Sequence, residues 1–370
     1  MNSKLSRLAI TNASNIIINQ LYMKTGLDFT RPIHIHPQLS VQCNSRCVMC
    51  HCWRKPTDGE LPAEIWIRAL EELRRLSGNI KVCFAGGEVL LKKDVFDIFR
   101  FCHEKRIIWG LTSHGFILGQ KNARKLVDLD PFNIHISLDS LDENIYEQIR
   151  GVRMLSAVMR NVSGLVDTLA RMGSSTVVTI KTMVCKTNLD ELDQIALYAE
   201  RVGTQGITFQ PVMEVTREAK DLFVGDQMAL DRKIRQLIAM KRDGCPILNS
   251  EESLNSWRGY FANGRAKPLG AAPHQQAALA STNGHCEVPL RNLYILADGR
   301  VKVCELYAES LGNIRDQSIT DILRSGPTLR MKQDLVGCER NCVYCIKRSA
   351  KDYLTAASKF FAPARIHARA

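Results

Sequence analysis

The chain of 370 residues has no run of about 18 apolar residues, so it offers no segment able to cross a bilayer as a helix. It also lacks a secretory signal. The opening stretch MNSKLSRLAITNASNIIINQLYM is broken by polar side chains, and no small-residue cleavage site follows an apolar core. Aromatic residues are scarce at 6%, and no basic run is interleaved with them, which argues against a stacking platform for single-stranded nucleic acid. These absences predict a cytoplasmic protein with neither a membrane nor a nucleic-acid partner. The net charge of +12, from 50 Lys+Arg against 38 Asp+Glu, then reads as a solvated basic surface ending in a basic tail over 347–370.

Disulfides are also missing as an organising device. Thirteen cysteines are too few to scaffold a chain of this length, their number is odd, and no signal directs them to an oxidising compartment. Clustered cysteines then point to metal or redox chemistry. Cys43, Cys47 and Cys50 form a CxxxCxxC triplet just past a predicted strand. Three thiolates from one loop leave one iron of a four-iron cubane open, and an open metal position is where chemistry occurs. Zinc binding, redox thiols or a non-catalytic iron–sulfur electron carrier or sensor are alternatives for the triplet taken alone.

Val- and Ile-rich runs at 36–42, 80–85, 107–113, 132–139, 175–184 and 206–212 alternate with helical periodicity at 63–76, 93–104, 122–129, 155–171 and 189–202. Continuous apolar strands separated by helices suit parallel strands with right-handed crossovers. The pattern predicts an α/β fold, a partial (β/α)6 TIM-like barrel over 33–215, preceded by an N-terminal helical extension over 1–32. A helical and loop linker spans 216–284. A smaller α+β domain over 285–346 then opens with a hairpin around the tight-turn pair Asp298-Gly299.

With CNSRCVMC followed at the next strand end by Gly86-Gly87-Glu88, the chain resembles the radical S-adenosylmethionine (SAM) superfamily. The resemblance implies that Cys43, Cys47 and Cys50 hold a [4Fe–4S] cluster whose open iron is chelated by SAM. The reduced cluster then cleaves SAM to a 5′-deoxyadenosyl radical that abstracts a substrate hydrogen. Gly86 and Gly87 let the backbone approach closely, and Glu88 is placed to accept a hydrogen bond from SAM's ammonium group. By the same resemblance Ser113, Ser137 and Arg150 are candidates for SAM's carboxylate or ribose, and Gln210 for its adenine. Cys185, past the fifth strand, is a candidate hydrogen-atom donor to a substrate radical. Cys52, Cys83 and Cys102 read as packing.

Residues 286–346 resemble the SPASM and twitch auxiliary-cluster domains, through Cys286, Gly299 followed by Cys304, the segment LGNI and Cys338-x3-Cys342-x2-Cys345. This implies a second [4Fe–4S] cluster on Cys286, Cys304, Cys342 and Cys345, with Cys338 as an alternative ligand. The implied partners are a small-molecule or peptide substrate and a flavodoxin- or ferredoxin-type reductant. The expected activity is an oxidation or dehydrogenation with the auxiliary cluster taking the electron. The alternative is maturation of a ribosomally made peptide by crosslinking or epimerisation.

Overall fold

The structure is a computed structural model that describes residues 3–213, 216–262, 286–336 and 338. Cys342, Cys345 and the basic tail lie outside the described residues. Strands β1 (His34–Ser40), β2 (Lys81–Gly86), β3 (Ile108–Ser113), β4 (Asn133–Ser137), β5 (Val177–Val184) and β6 (Gly206–Pro211) are joined in parallel, each beside the next. Helices α1 (Ser3–Thr25), α2 (Ala63–Ser77), α3 (Val95–Glu104), α4 (Gln120–Asp128), α5 (Glu143–Arg150), α6 (Leu155–Arg171) and α7 (Leu192–Arg201) precede or link them. The expected α/β, partial (β/α)6 TIM-like barrel is thus the observed fold.

The crossover helices form because their apolar residues recur every three or four positions. In α2 this spacing buries Ala63, Trp66, Ala69, Leu70 and Leu73 along one stripe, with Glu64 in the first turn and Arg74 and Arg75 in the last, each suiting the helix dipole. Those stripes cover the outer face of the sheet, where Ile35, Val82, Phe84, Leu111, Ile134 and Ile180 are buried. Alternation along the same strands turns the other residues to the inner face. Register aligns Gln38 with Ala85, Thr112 with His135, Ser137 with Lys181, and Met183 with Gln210. No acidic residue occurs in any described strand, so the inner face is polar and carries the cations Lys81 and Lys181.

After β6, the chain adds α8 (Gln227–Arg242), α9 (Glu251–Asn255), α10 (Trp257–Ala262) and α11 (Val288–Arg291). A hairpin of β7 (Asn292–Ile295) and β8 (Arg300–Lys302) follows, then β9 (Gly312–Asn313), α12 (Ile319–Arg324) and α13 (Gly326–Val336). The hairpin expected around Asp298-Gly299 is present. It is not a detached module, however, because β7 pairs in parallel with β1, giving one nine-stranded sheet ordered β6-β5-β4-β3-β2-β1-β7-β8-β9. The physical reason is the open edge of β1. A sheet left there would present unpaired backbone groups, and β7 satisfies them. Leu61 donates its N–H to Ala297, and Arg68 donates to Ile314, tying the α2 region to the hairpin and β9.

Candidate active site at the C-terminal strand ends

The cysteine loop leaves β1 at Ser40 and is anchored at both sides. The Glu60 carboxylate accepts from Ser40 Oγ at 2.8 Å and from the Val41 N–H at 2.7 Å, fixing the exit angle. Across the loop, Arg46 N donates to the Arg150 carbonyl at 2.9 Å, Val48 N to the Ile149 carbonyl at 3.1 Å, and Ser45 Oγ to the Arg150 carbonyl at 3.0 Å. The end of α5 thus gives two of the carbonyls that a helix terminus leaves unsatisfied to the loop that carries the cysteines.

Helix α5 was absent from the expectation drawn from sequence, and it is the element that holds this loop. It has only eight residues, too short to stand out by periodicity. Its signals are nevertheless present. Asp142 caps the Asn144 and Ile145 N–H groups, Tyr146 and Ile149 are buried one turn apart, and Gly151 ends the helix in the left-handed region at φ 68°. A Cβ on Gly151 would lie 2.5 Å from the Arg46 carbonyl oxygen and 2.6 Å from its Cβ. Gly151→Ala therefore combines left-handed strain of about 1–2 kcal/mol with a clash against the cysteine loop. We expect a lower melting temperature together with reduced iron content after reconstitution. Iron content equal to wild type in a folded variant would show that this contact does not shape the loop.

The three thiols sit in graded environments: Cys47 is buried, Cys43 half-buried and Cys50 exposed. Donors converge on their sulfurs. Ser45 N lies 3.4 Å from Cys43 Sγ, Ser45 Oγ 3.2 Å from Cys47 Sγ, and Arg150 Nη1 3.7 Å from Cys47 Sγ. Burial pushes the Cys43 thiol up to about 11. The Cys50 thiol is pulled down, first by a hydrogen bond from the Cys52 thiol, whose own value is raised by the same contact. Cys52 is buried beside the triplet, with the Gln38 side chain 3.7 Å from its sulfur. Trp53 closes the loop, its indole N–H donating to the Cys47 carbonyl at 3.4 Å. Asn44 and Trp53 were not singled out by sequence, having no motif of their own.

The Gly-Gly-Glu segment follows β2. Gly87 N donates to Ser40 O at 2.7 Å and Glu88 N to Gln42 O at 2.8 Å, so the two glycines sit hard against the start of the cysteine loop. A side chain on either would run into the Ser40 or Gln42 carbonyl. Their smallness serves this backbone approach in the described structure.

Glu88 is engaged within the protein. It is fully buried, and its carboxylate accepts from Leu90 N at 3.2 Å, from Ser113 Oγ at 2.9 and 3.1 Å, and from His114 N at 2.9 Å. The carboxylate braces the ends of β2 and β3, and Ser113 is occupied with it. His114 Nε2 lies 3.2 Å from Glu88, yet the pair is not ionic at neutral pH. Burial and the nearby Arg150 push the imidazole down to about 4, and it bonds Asn44 Oδ1 at 2.6 Å.

Arg150 was expected to meet SAM's carboxylate or ribose. The structure buries it instead, with Nε 2.6 Å from Asp139 Oδ2. Burial alone would lower its pKa, but Asp139 and then the Cys47 sulfur raise it. Ser137 and Gln210 both lie half-buried on the inner face. Cys185 is wholly enclosed in the apolar core, with no exposed sulfur to deliver a hydrogen atom. Cys83 corrects the opposite way, since it is half-buried on the inner face opposite Gly110 rather than packed away.

Cys286 and Cys304 flank the hairpin, both half-buried. Cys338 is also half-buried, and Cys286 N donates to Val336 O at 2.8 Å. Lys302, two residues before Cys304, lies opposite Tyr294, whose ring stacks on His36 at 4.8 Å. This joins the hairpin to the inner face of the barrel. Burial first, then Lys81 and Lys181, hold His36 near 4, so this imidazole is neutral.

Comparisons agree with this arrangement. Residues 38–199 match the radical SAM superfamily, and residues 286–346 match an iron–sulfur cluster-binding domain, SPASM. The sporulation killing factor maturation protein SkfB of Bacillus subtilis is 23% identical over 339 residues, covering 90% of this chain and 74% of SkfB. A GTP 3′,8-cyclase of Thermodesulfovibrio yellowstonii is 28% identical over 302 residues, 77% of this chain and 83% of its own. Among solved structures, SuiB of Streptococcus suis bound to S-adenosylmethionine superimposes with a TM-score of 0.67 at 15% identity, over 90% of this chain and 78% of that one. Its complex with the precursor peptide SuiA gives 0.67 at 16%, over 90% and 77%.

The two domains imply a [4Fe–4S] cluster, SAM and auxiliary iron–sulfur binding, and the cysteine loop fits the first of these. Among the described residues no three His, Cys, Asp or Glu side chains close on a single ion. A cubane asks for something different, because each thiolate binds its own iron and the sulfurs stand further apart than ligands of one ion. Three thiols on one anchored loop, with the Ser45 N–H and the Arg150 guanidinium directed at them, suit an anionic cluster. The chain is a radical SAM enzyme carrying a C-terminal SPASM domain.

Proposed function

We propose that the enzyme oxidatively modifies a peptide substrate held against the inner face of the barrel. The observation that carries this is the continuity of the sheet. The cysteine loop leaves β1, and the hairpin flanked by Cys286 and Cys304 is zipped onto that same strand, so the two thiol sets border one polar surface free of acidic strand residues. When bound, the first cluster and SAM supply a hydrogen-abstracting radical, and the auxiliary cluster, with Cys342 and Cys345 completing its ligands, supplies an electron acceptor. The chain's own residues do the positioning. Ser137, opposite Lys181, and Gln210, opposite Met183, offer hydrogen bonds for a substrate carboxylate or carbonyl. The neutral His36 and the stacked Tyr294 line the approach to the hairpin. A peptide is favoured over a compact metabolite because the match to a sporulation killing factor maturation protein runs over nine-tenths of the chain, and SuiB, of like fold, was solved with a precursor peptide. A flavodoxin- or ferredoxin-type donor would supply the reducing electron.

The test is anaerobic reconstitution, reduction and incubation with SAM and the peptides encoded beside the gene. We expect 5′-deoxyadenosine and a peptide lighter by two hydrogens, with both lost in Cys43→Ala. Iron should reach about eight per chain from two cubanes, falling to about four in Cys304→Ala. Cleavage of SAM stimulated by GTP and indifferent to the peptides would overturn the peptide assignment.

A further inference from the structure

Helix α1 is built inside out. Its buried face is polar: Asn15, Asn19 and Tyr22 are turned inward, and Asn12 Oδ1 meets His34 Nε2 at 3.3 Å at the N-terminal end of the barrel. Both amide atoms of Asn19 lack a hydrogen-bond partner among the described residues. The outward side carries exposed aliphatic residues, with Ser14 between Ile10 and Ile17. Ile10 is 69% and Ile17 71% exposed, with Leu21 following one turn later. Among the described residues, six of the ten exposed large hydrophobics fall between Ile10 and Phe29. Such a concentrated patch signals a partner surface, since single exposed apolar residues are ordinary and clusters are not.

Charge identifies the partner. Arg7, at the head of the same helical stripe as Ile10, Ile17 and Leu21, lines a cavity of about 340 Å³ between α1 and the turns entering β2 and β3. Arg74, Lys105 and Arg106 share that lining over Ile80 and Ile107, and no carboxylate is among the lining residues. The nearby acids are already engaged: Glu71 holds Arg74 and Arg75, and Lys4 holds Asp130 at 2.6 Å. Arg106 sits at φ 53°, an unusual conformation for a non-glycine residue, with its carbonyl bonded by Arg7. A second copy of the chain would set one basic face against another and be repelled. An anionic bilayer offers both complements at once, acyl chains for the aliphatic stripe and phosphates for the cavity.

We propose that this end of the barrel attaches peripherally to an anionic phospholipid surface. Ile10, Ile17 and Leu21 enter the acyl boundary, and the Arg7–Lys105–Arg106 cavity takes a headgroup phosphate. This revises the sequence-based expectation of no membrane partner, which rested on the lack of a spanning helix. No described helix is long and apolar enough to cross, but an interfacial helix needs only one apolar face. The cysteine loop lies at the opposite end of β1 from the contact of α1 with His34.

Co-sedimentation of the full chain with vesicles tests this. Binding is expected with phosphatidylglycerol–phosphatidylcholine vesicles, little with phosphatidylcholine alone, and release at about 0.5 M NaCl. Ile10→Ser/Ile17→Ser/Leu21→Ser should lower the partition at least about ten-fold by removing buried apolar surface, and Arg7→Gln/Lys105→Gln should lower it as well. The Ser triple variant alters exposed side chains, so its melting temperature should match wild type. Wild type remaining in the supernatant would overturn the proposal. So would loss of binding in the Gln variant with none in the Ser variant, which marks an anion site only. A wild-type dimer on size exclusion that the Ser variant splits would assign the stripe to a second copy and overturn it equally.

Discussion

Arg150→Met should lower stability by about 3–5 kcal/mol, the usual consequence of removing one member of a buried ion pair. Asp139 is fully buried, and its other oxygen is committed to Met183 N at 2.7 Å, so losing the guanidinium leaves a carboxylate with neither counter-ion nor water. The same change removes the guanidinium directed at Cys47 Sγ, 3.7 Å away. The variant is therefore expected to load less iron as well as to melt earlier. Arg150→Met/Asp139→Asn separates the two effects. With the stranded charge removed, more than half of the lost stability should return, while iron loading should stay low because the thiolates still lack their cation. Urea melts and iron analysis on wild type, single and double variants decide it. An Arg150→Met protein that melts like wild type and only raises the KM for SAM would instead support the ligand contact expected from sequence.

Much of the barrel was legible because its signals are redundant. β5 is rich in Val and Ile, α2 and α6 keep their apolar stripe for several turns, and Asp298-Gly299 marks a tight turn. The cysteine triplet and Gly86-Gly87-Glu88 carry their meaning in local spacing. What was hidden depends on long-range placement. Helix α5 is short, and its function is to lend two backbone carbonyls to a loop about a hundred residues away in sequence. No side-chain pattern encodes that. The attachment of β7 to β1 follows from an open strand edge, which exists only once the sheet is assembled. Glu88 follows β2, Ser113 ends β3 and Arg150 ends α5, and whether a polar side chain at such a place meets a ligand or braces its neighbours depends on partners that one sequence does not order. Helix α1 shows the limit of hydrophobic patterning. Its apolar and polar residues are not cleanly separated around the helix, and Asn15 and Asn19 are buried where it meets the end of the barrel near His34.

Glu88 offers the sharpest pH signature in the molecule. Burial raises its carboxyl from the ordinary 4.5 to about 7, against hydrogen bonds from His114 and Leu90 that pull the other way. A carboxyl with a raised value in the folded state binds its proton more tightly there than in the unfolded chain. Its contribution is complete below about 4.5 and is lost as pH rises through about 7. The difference corresponds to about 3 kcal/mol. His36 and His114 act in the opposite sense. Both are held near 4, so they favour folding above their ordinary value of 6.5 and lose that contribution as pH falls. The wild-type profile alone would therefore mix opposing terms, and Glu88→Gln isolates the carboxyl. Gln keeps one carbonyl oxygen for the Ser113 and His114 donors but cannot ionise. Its stability relative to wild type should swing in its favour by up to about 3 kcal/mol between pH 5 and pH 8, read from urea melts. Glu88→Ala, which leaves the buried Ser113 and His114 donors unmet, should be weaker than wild type at both pH values by about 1–3 kcal/mol per donor. A constant gap between Glu88→Gln and wild type across that range would mean the carboxylate is stabilised as an anion. The brace between β2 and β3 would then be ionic rather than a shared proton.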